Sequence, residues 1–156
     1  MIKIRDHYTL GSHDPITINI SAPNVSNLAV SGSSDMYVTG PWGPGNASFN
    51  ISGSGNISVD TIFTNNLKAT ISGSGGISVA KGIATKGNLV ISGSGTISVQ
   101  GVKTIEVNAT ISGSGDIYCW AEQRLVATIS GSGNVYYKGS PQVDTNVSGS
   151  GTVRPL

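Results

Sequence analysis

The pentapeptide ISGSG begins at Ile51, Ile71, Ile91, Ile111 and Ile129, and looser copies begin at Val30 (VSGSS) and Val147 (VSGSG). Successive starts lie 21, 20, 20, 20, 18 and 18 residues apart. A repeat of nearly fixed length means that each unit is one supersecondary element, which buries its apolar face only against its neighbours. That feature constrains the fold more than any other in the chain. Taken alone, Ser-Gly-Ser-Gly would read as a flexible linker; spaced like this, it reads as a corner.

The residues between the corners show what is being turned. With each Ile or Val of the pentapeptide as position zero, position +6 reads Met36, Ile57, Ile77, Ile97, Ile117, Val135 and Val153. Position +8 reads Val38, Val59, Val79, Val99, Cys119, Tyr137 and Pro155, and position −2 reads Leu28, Phe49, Ala69, Leu89, Ala109, Ala127 and Thr145. Position −4 supplies Leu67, Val107, Leu125 and Val143. Mostly polar residues fill the places between. Alternation with period two is the mark of a strand with one buried face. Each unit is thus a strand ending at the Ile, a corner, a second strand of the form x-Ile-x-Val, and a less regular third side anchored by Ile62, Ile83 or Val102. Glycine supplies the positive φ of the bend, and small serines leave room for stacked coils whose hydroxyls bridge neighbours.

These features predict an all-β chain: a right-handed parallel β-helix with about 20 residues per coil and seven to eight coils. It forms a single domain over residues 1–156, with a degenerate N-terminal coil over 1–29, regular coils over 30–138 and a C-terminal coil and cap over 139–156. The N-terminal coil rests on a faint repeat at Leu10, with Ile16 and Ile18 as its inward residues. The segment AEQRLVAT (Ala121–Thr128) has good helix propensity but falls where the repeat shortens, so it reads as a turn and a strand.

The repeated I-S-G-S-G-[ND]-[IV]-x-[VY], closing on GSPQVDTNVSGSGTVRPL (Gly139–Leu156), resembles the auto-transporter adhesin head GIN domain family (DUF2807) of Bacteroidetes. The resemblance covers nearly the whole chain, and the closing segment is its most specific part. It implies a secreted or surface-anchored β-helical adhesin and brings no catalytic residues. It also implies a signal sequence and further N-terminal β-structure ahead of Ile2; MIKIRDHYTL has no apolar core of the signal-peptide kind, so an exported protein would carry that segment elsewhere.

Composition narrows the function classes. Only 11% of residues are charged and the net charge is +1, so the dense cationic surface that nucleic acid demands is missing. A chain so poor in charge solvates itself with Ser, Thr, Asn and Gly, which suits the cell surface, the periplasm or secretion. No 18-residue apolar run spans a membrane, and the single Cys119 excludes an internal disulfide framework. Cys119 stands where Val recurs and reads as a small core residue.

Catalysis needs convergent groups, and the repeat frame brings none together. The acids Asp6, Asp14, Asp35, Asp60, Glu106, Asp116, Glu122 and Asp144 never share a column on adjacent coils. Neither His7 nor His13 has a paired ligand spacing, and the isolated acids at position +5 fall short of the oxygen cage calcium requires. No enzyme activity, metal or cofactor is expected.

The aromatics point elsewhere. After Gly115 the outward positions read Asp116, Tyr118 and Trp120, and on the next coil Asn134, Tyr136 and Lys138, with Arg154 following; earlier coils carry Ser58, Ser78 and Ser98. Tyr118 and Tyr136 should stack in one exposed column with Trp120 beside them. Such a strip suits sugar rings or a protein partner, although covering the last coil of a solenoid, whose open edges need protection, is the reading it favours. Tyr137, in the inward column, reads as a cap. Trp42, in GPWGPGN (Gly40–Asn46) where the repeat stretches to 21, is expected on an outward loop, as a contact residue or packed back on the coil. The expected partner is a glycan or an extracellular protein. The rival is a structural spacer that self-associates into homo-oligomers, and third comes an enzyme acting on polysaccharide.

Overall fold

The structure, a computed structural model, describes residues 18–20, 25–43 and 45–156. The described residues form ten strands and no helix: β1 (Asn27–Gly32), β2 (Asp35–Trp42), β3 (Asn46–Gly53), β4 (Asn56–Gly73), β5 (Gly76–Gly93), β6 (Thr96–Gly113), β7 (Asp116–Gly131), β8 (Asn134–Lys138), β9 (Gln142–Gly149) and β10 (Thr152–Pro155). Every pairing is parallel and joins one coil to the next. The result is a β-solenoid of about 6 turns with about 20 residues per turn. That is slightly fewer than the seven to eight coils expected. The extra coil rested on Leu10 and Ile16, which lie outside the described residues, and on Ile18, which is exposed. His7 and His13 also lie outside the described residues.

Each long strand carries one coil from one SGSG corner to the next, past further bends along its length. Gly93 adopts φ 130° at one such corner, and a Cβ on it would collide with the carbonyl oxygen of Gly73 one coil below. That carbonyl accepts the Ser94 backbone N–H at 3.0 Å, and Gly93 in turn accepts from Ser114 at 2.9 Å. The bonds binding corner to corner therefore run through the backbone. A serine hydroxyl bridges coils on the outward face instead, where Ser78 Oγ donates to Ser58 Oγ at 3.1 Å.

The inward columns match the repeat. Ile51, Ile71, Ile91, Ile111 and Ile129 form one fully buried file, and Ile57, Ile77, Ile97, Ile117 and Val135 another. The positions before the corner balance one another in volume: Ala47 with Phe49, Leu67 with Ala69, Gly87 with Leu89, Val107 with Ala109, Leu125 with Ala127. A large residue beside a small one keeps each layer filled, as close packing requires. Two threonines point inward at the third corner, and both hydroxyls are bonded: Thr64 Oγ1 donates to Gly45 O at 2.7 Å, Thr104 Oγ1 to Val102 O at 3.3 Å.

The irregular repeats have local causes. The 21-residue repeat is absorbed by a bulge: Val38 pairs with Val59 but Pro41 with Thr61, so one extra residue lies at Thr39–Gly40. The bulge precedes Trp42 and restores the alternation, so Trp42 pairs with Ile62 and turns inward. It is 6% exposed and packs edge-on against Phe49, so of its two expected roles it takes the one packed back on the coil; it lies in β2 rather than on an outward loop and is not a contact residue. The first 18-residue repeat is equally local. Ser98 pairs with Tyr118 but Lys103 with Trp120, and Thr104 pairs with Ala121 but Glu106 with Arg124. Three residues are lost and one regained between those points. Ala121–Thr128 lies within β7, as a strand.

On the third side Ile62, Gly82 and Val102 share one register position, and both apolar side chains there are buried. Ile83 therefore points out, 57% exposed, where an inward anchor was expected. A Cβ at Gly82 would collide with Ile62 O, so this coil accepts only glycine in the inward slot.

Candidate binding face

The outward file at position +7 runs Tyr37, Ser58, Ser78, Ser98, Tyr118, Tyr136, Arg154, each in register with the next. Tyr118 and Tyr136 stack with centroids 4.7 Å apart and planes inclined by 9°. That separation equals one strand spacing, so the ring normals run along the solenoid axis. Arg154 covers the far face of Tyr136, its guanidinium carbon 4.8 Å from the ring centroid and its Nη2 donating to the tyrosine oxygen at 3.1 Å. The stack is closed on one side. Its remaining face, on Tyr118, looks over Ser98.

The three serines form a floor between two aromatic walls. Tyr37, 73% exposed, stands at the other end, four strand spacings or about 19 Å from Tyr118. A depression of about 400 Å³ lies over this floor, lined by Ser58, Ser78, Ser98, Asp60, Gln100 and Lys138 among others. The face thus combines hydroxyls, a carboxylate, an amide and an ammonium group with a flat ring. The +7 count from Val30 would have found Tyr37 in the sequence; the three serines between hid its partnership with Tyr118.

The other candidate residues divide. Trp120 lies beneath Lys103 and above Lys138 in the register, because the residues lost after Ser98 bring Lys103 opposite it. The Lys103 ammonium sits 4.9 Å from the Trp120 ring centroid, and Trp120 Nε1 is covered without a hydrogen-bond partner among the described residues. Asp116 and Asn134 belong to a ladder between coils. Asp116 Oδ1 accepts from the Asn134 backbone N–H at 3.1 Å and its side-chain amide at 3.0 Å, and Asn134 Oδ1 accepts from Thr152 N–H at 3.2 Å and its hydroxyl at 2.8 Å. Asp35 and Asn56 repeat the motif at the other end.

Burial, then the neighbouring Asp116 carboxylate and Tyr136, push the Tyr118 phenol above its ordinary range against a smaller pull from Arg154, so it stays a neutral donor at physiological pH. Cys119 lies behind this face in the inward file, where burial pushes its thiol up to about 12. Among the described acids, Glu106 faces Lys86 at 3.8 Å and Asp144 pairs with Arg124 at 2.8 Å. No group of three or more His, Cys, Asp or Glu side chains that could hold a metal occurs among the described residues.

Similar proteins carry the same architecture. A putative adhesin from Parabacteroides distasonis superposes with a TM-score of 0.80 at 29% identity, over 83% of this chain and 55% of that one. A putative lipid binding protein from the same organism gives 0.81 at 32% identity, over 85% and 54%. A putative adhesin from Parabacteroides merdae gives 0.74 at 29% identity, over 84% and 63%. The chain thus spans little more than half the length of the first two of these. Among curated proteins none matches. The family model for the putative auto-transporter adhesin, head GIN domain, matches residues 1–141, so most of the closing segment Gly139–Leu156, singled out in the sequence, lies beyond the match. With the repeat, the parallel solenoid and that match in agreement, the chain belongs to the DUF2807 head GIN domain family.

Proposed function

We propose that the chain is a non-catalytic binding module of the cell envelope or cell surface that recognises a glycan across the Tyr37–Tyr118 face. One observation carries the reading: a hydroxyl-floored depression edged by Asp60, Gln100 and Lys138 lies on the same outward file as the Tyr118–Tyr136 stack, with Ser98 of its floor in register with Tyr118. A sugar ring offers an apolar face for stacking and hydroxyls that bond to Ser, Gln and carboxylate groups, which is this inventory. The parallel stack holds the groups at fixed spacing before contact, so little ordering entropy is lost on binding. Tyr136 and Arg154 support the Tyr118 ring from behind. A glycan array tests this: the Tyr118→Ala, Tyr136→Ala double variant should lose its signal while keeping a β-type circular dichroism spectrum. Unchanged signal removes the face from consideration.

A second reading, self-association into an envelope spacer, draws support from the C-terminal end. There β9 and β10 close the stack with Val147 40% and Leu156 56% exposed. An open parallel edge is a template for another strand. Light scattering separates the two readings: mass that grows with concentration, and that a Val147→Lys change abolishes, supports the spacer, whereas a constant monomer mass rejects it.

A further inference from the structure

A second file of outward residues follows the register on the third side of the solenoid: Phe63, Ile83, Lys103, Trp120, Lys138. Phe63 is 50% and Ile83 57% exposed, and Ile105, also exposed, stands beside Lys103. These are unusual places for large apolar side chains in a protein that solvates itself with serine and asparagine. Gly82 explains how Ile83 comes to face out, but no described element covers it or Phe63. Phe63, Ile83 and Trp120 do not line the depression over Ser58, Ser78 and Ser98, so the file is a surface of its own.

Cations outnumber acids along the ridge, where Lys81, Lys103 and Lys138 stand against the exposed Asp60 and Glu122. Lys103 lies over the Trp120 ring, Lys138 ends the file, and Lys81 is exposed two residues ahead of Ile83. The file itself contains no acid. Glu106 and Asp144, on the neighbouring corner, each face a cation of their own, Lys86 and Arg124. Side chains as exposed as Phe63 and Ile83 do not enclose a small ligand. They can sink into a soft surface, with lysine stems lying along the apolar side chains and their ammonium groups reaching anionic headgroups.

We propose that the Phe63–Ile83–Trp120 ridge docks the solenoid lengthwise on an anionic lipid bilayer. Phe63 and Ile83 enter the headgroup region, Trp120 sits at its level, and Lys81, Lys103 and Lys138 meet lipid phosphates. Because the attraction is partly electrostatic, salt weakens it. Lys138 borders both surfaces, but Phe63 and Ile83 belong to the ridge alone and Tyr118 and Tyr136 to the glycan face alone, so the two activities are separable by mutation at those residues.

Vesicle co-sedimentation tests the assignment, with pure phosphatidylcholine compared against phosphatidylcholine mixed with phosphatidylglycerol. The intact chain should partition onto the mixed vesicles, less so at high salt, and only weakly onto the neutral ones. Phe63→Ser with Ile83→Ser should weaken partitioning by about tenfold, and Lys81→Glu by a smaller factor. Both sites are exposed, so the fold should survive. Trp120 emission should move to the blue on vesicle addition, over a constant background from buried Trp42. Equal partitioning onto both vesicle types, or unaltered binding by the serine variant, overturns the proposal. So does a chain whose dimer, seen by light scattering, dissolves in the serine variant, since that assigns the ridge to a second copy of the chain.

Discussion

Trp42 packs edge-on against Phe49, with ring centroids 5.3 Å apart and planes at 85°. The contact fills the first turns of the core, where the inward files hold the less buried Leu28, Met36 and Val38. Truncating Trp42 to Ala should therefore cost about 3–5 kcal/mol in urea unfolding, as for other buried aromatics. The exposed Tyr37→Ala change should stay within about 0.5 kcal/mol, although it sits on the adjoining strand face.

The glycines of the corners make two demands, and Gly93 faces both. Its φ of 130° disfavours any side chain, and the Gly73 carbonyl oxygen occupies the space a Cβ would need. Neither neighbour can retreat without breaking the Ser94–Gly73 bond. Gly93→Ala should lower stability by more than about 3 kcal/mol, at the severe end of single substitutions. Gly43, with open space around its Cβ position among the described residues, should accept Ala with a change of less than about 0.5 kcal/mol. Paired thermal melts would show the contrast, and equal melting points would remove the steric account of the corner.

Cys119 couples stability to alkaline pH. Its thiol, ordinarily near 9.0, is pushed up to about 12 by burial. A raised native pKa means the unfolded chain loses its proton first. The stabilisation is therefore complete below the unfolded value and drains away as pH rises through the window from 9.0 to about 12. The full span is worth on the order of 4 kcal/mol. Cys119→Val, which restores the residue of the column, should flatten that part of the stability–pH curve. A variant and parent that decline in parallel would place the alkaline loss elsewhere, in the tyrosines.

Most of this architecture is legible in the sequence because the repeat itself reports it. A residue buried in every coil recurs in every coil, so Ile71 and Ile91 announce their file without help from tertiary structure. The same logic found the Tyr118–Tyr136 stack. It failed where coil lengths change. A bulge at Thr39–Gly40 and a loop through Gly40–Asn46 leave the same count of residues, and only the pairing of Trp42 with Ile62 decides between them. The pairing of Trp120 with Lys103 was hidden for the same reason, since counting forward from Gly115 cannot show where the shorter coil gives up its residues. Ile83 misled because an apolar residue suggested an inward slot, whereas Gly82 beside it already filled that slot. The ladder from Asp116 through Asn134 to Thr152 was visible as a column, but its donors and acceptors face along the axis, a direction that spacing does not encode.

Coil-on-coil register is the relation from which the buried files, the Tyr118–Tyr136 stack and the Phe63–Ile83 file all follow, and engineered disulfides test it most directly. In a Cys119→Val background, Ser58→Cys with Ser78→Cys places two thiols where hydroxyl oxygens now lie 3.1 Å apart, on Cα atoms one strand spacing from each other. Ser58→Cys with Ser98→Cys places them two spacings apart, about 9.6 Å and beyond the reach of a disulfide. The expected result under mild oxidation is rapid, near-complete intramolecular bonding in the first pair and none in the second. Bonding in the second pair, or free thiols in the first, would contradict the stacking of these coils.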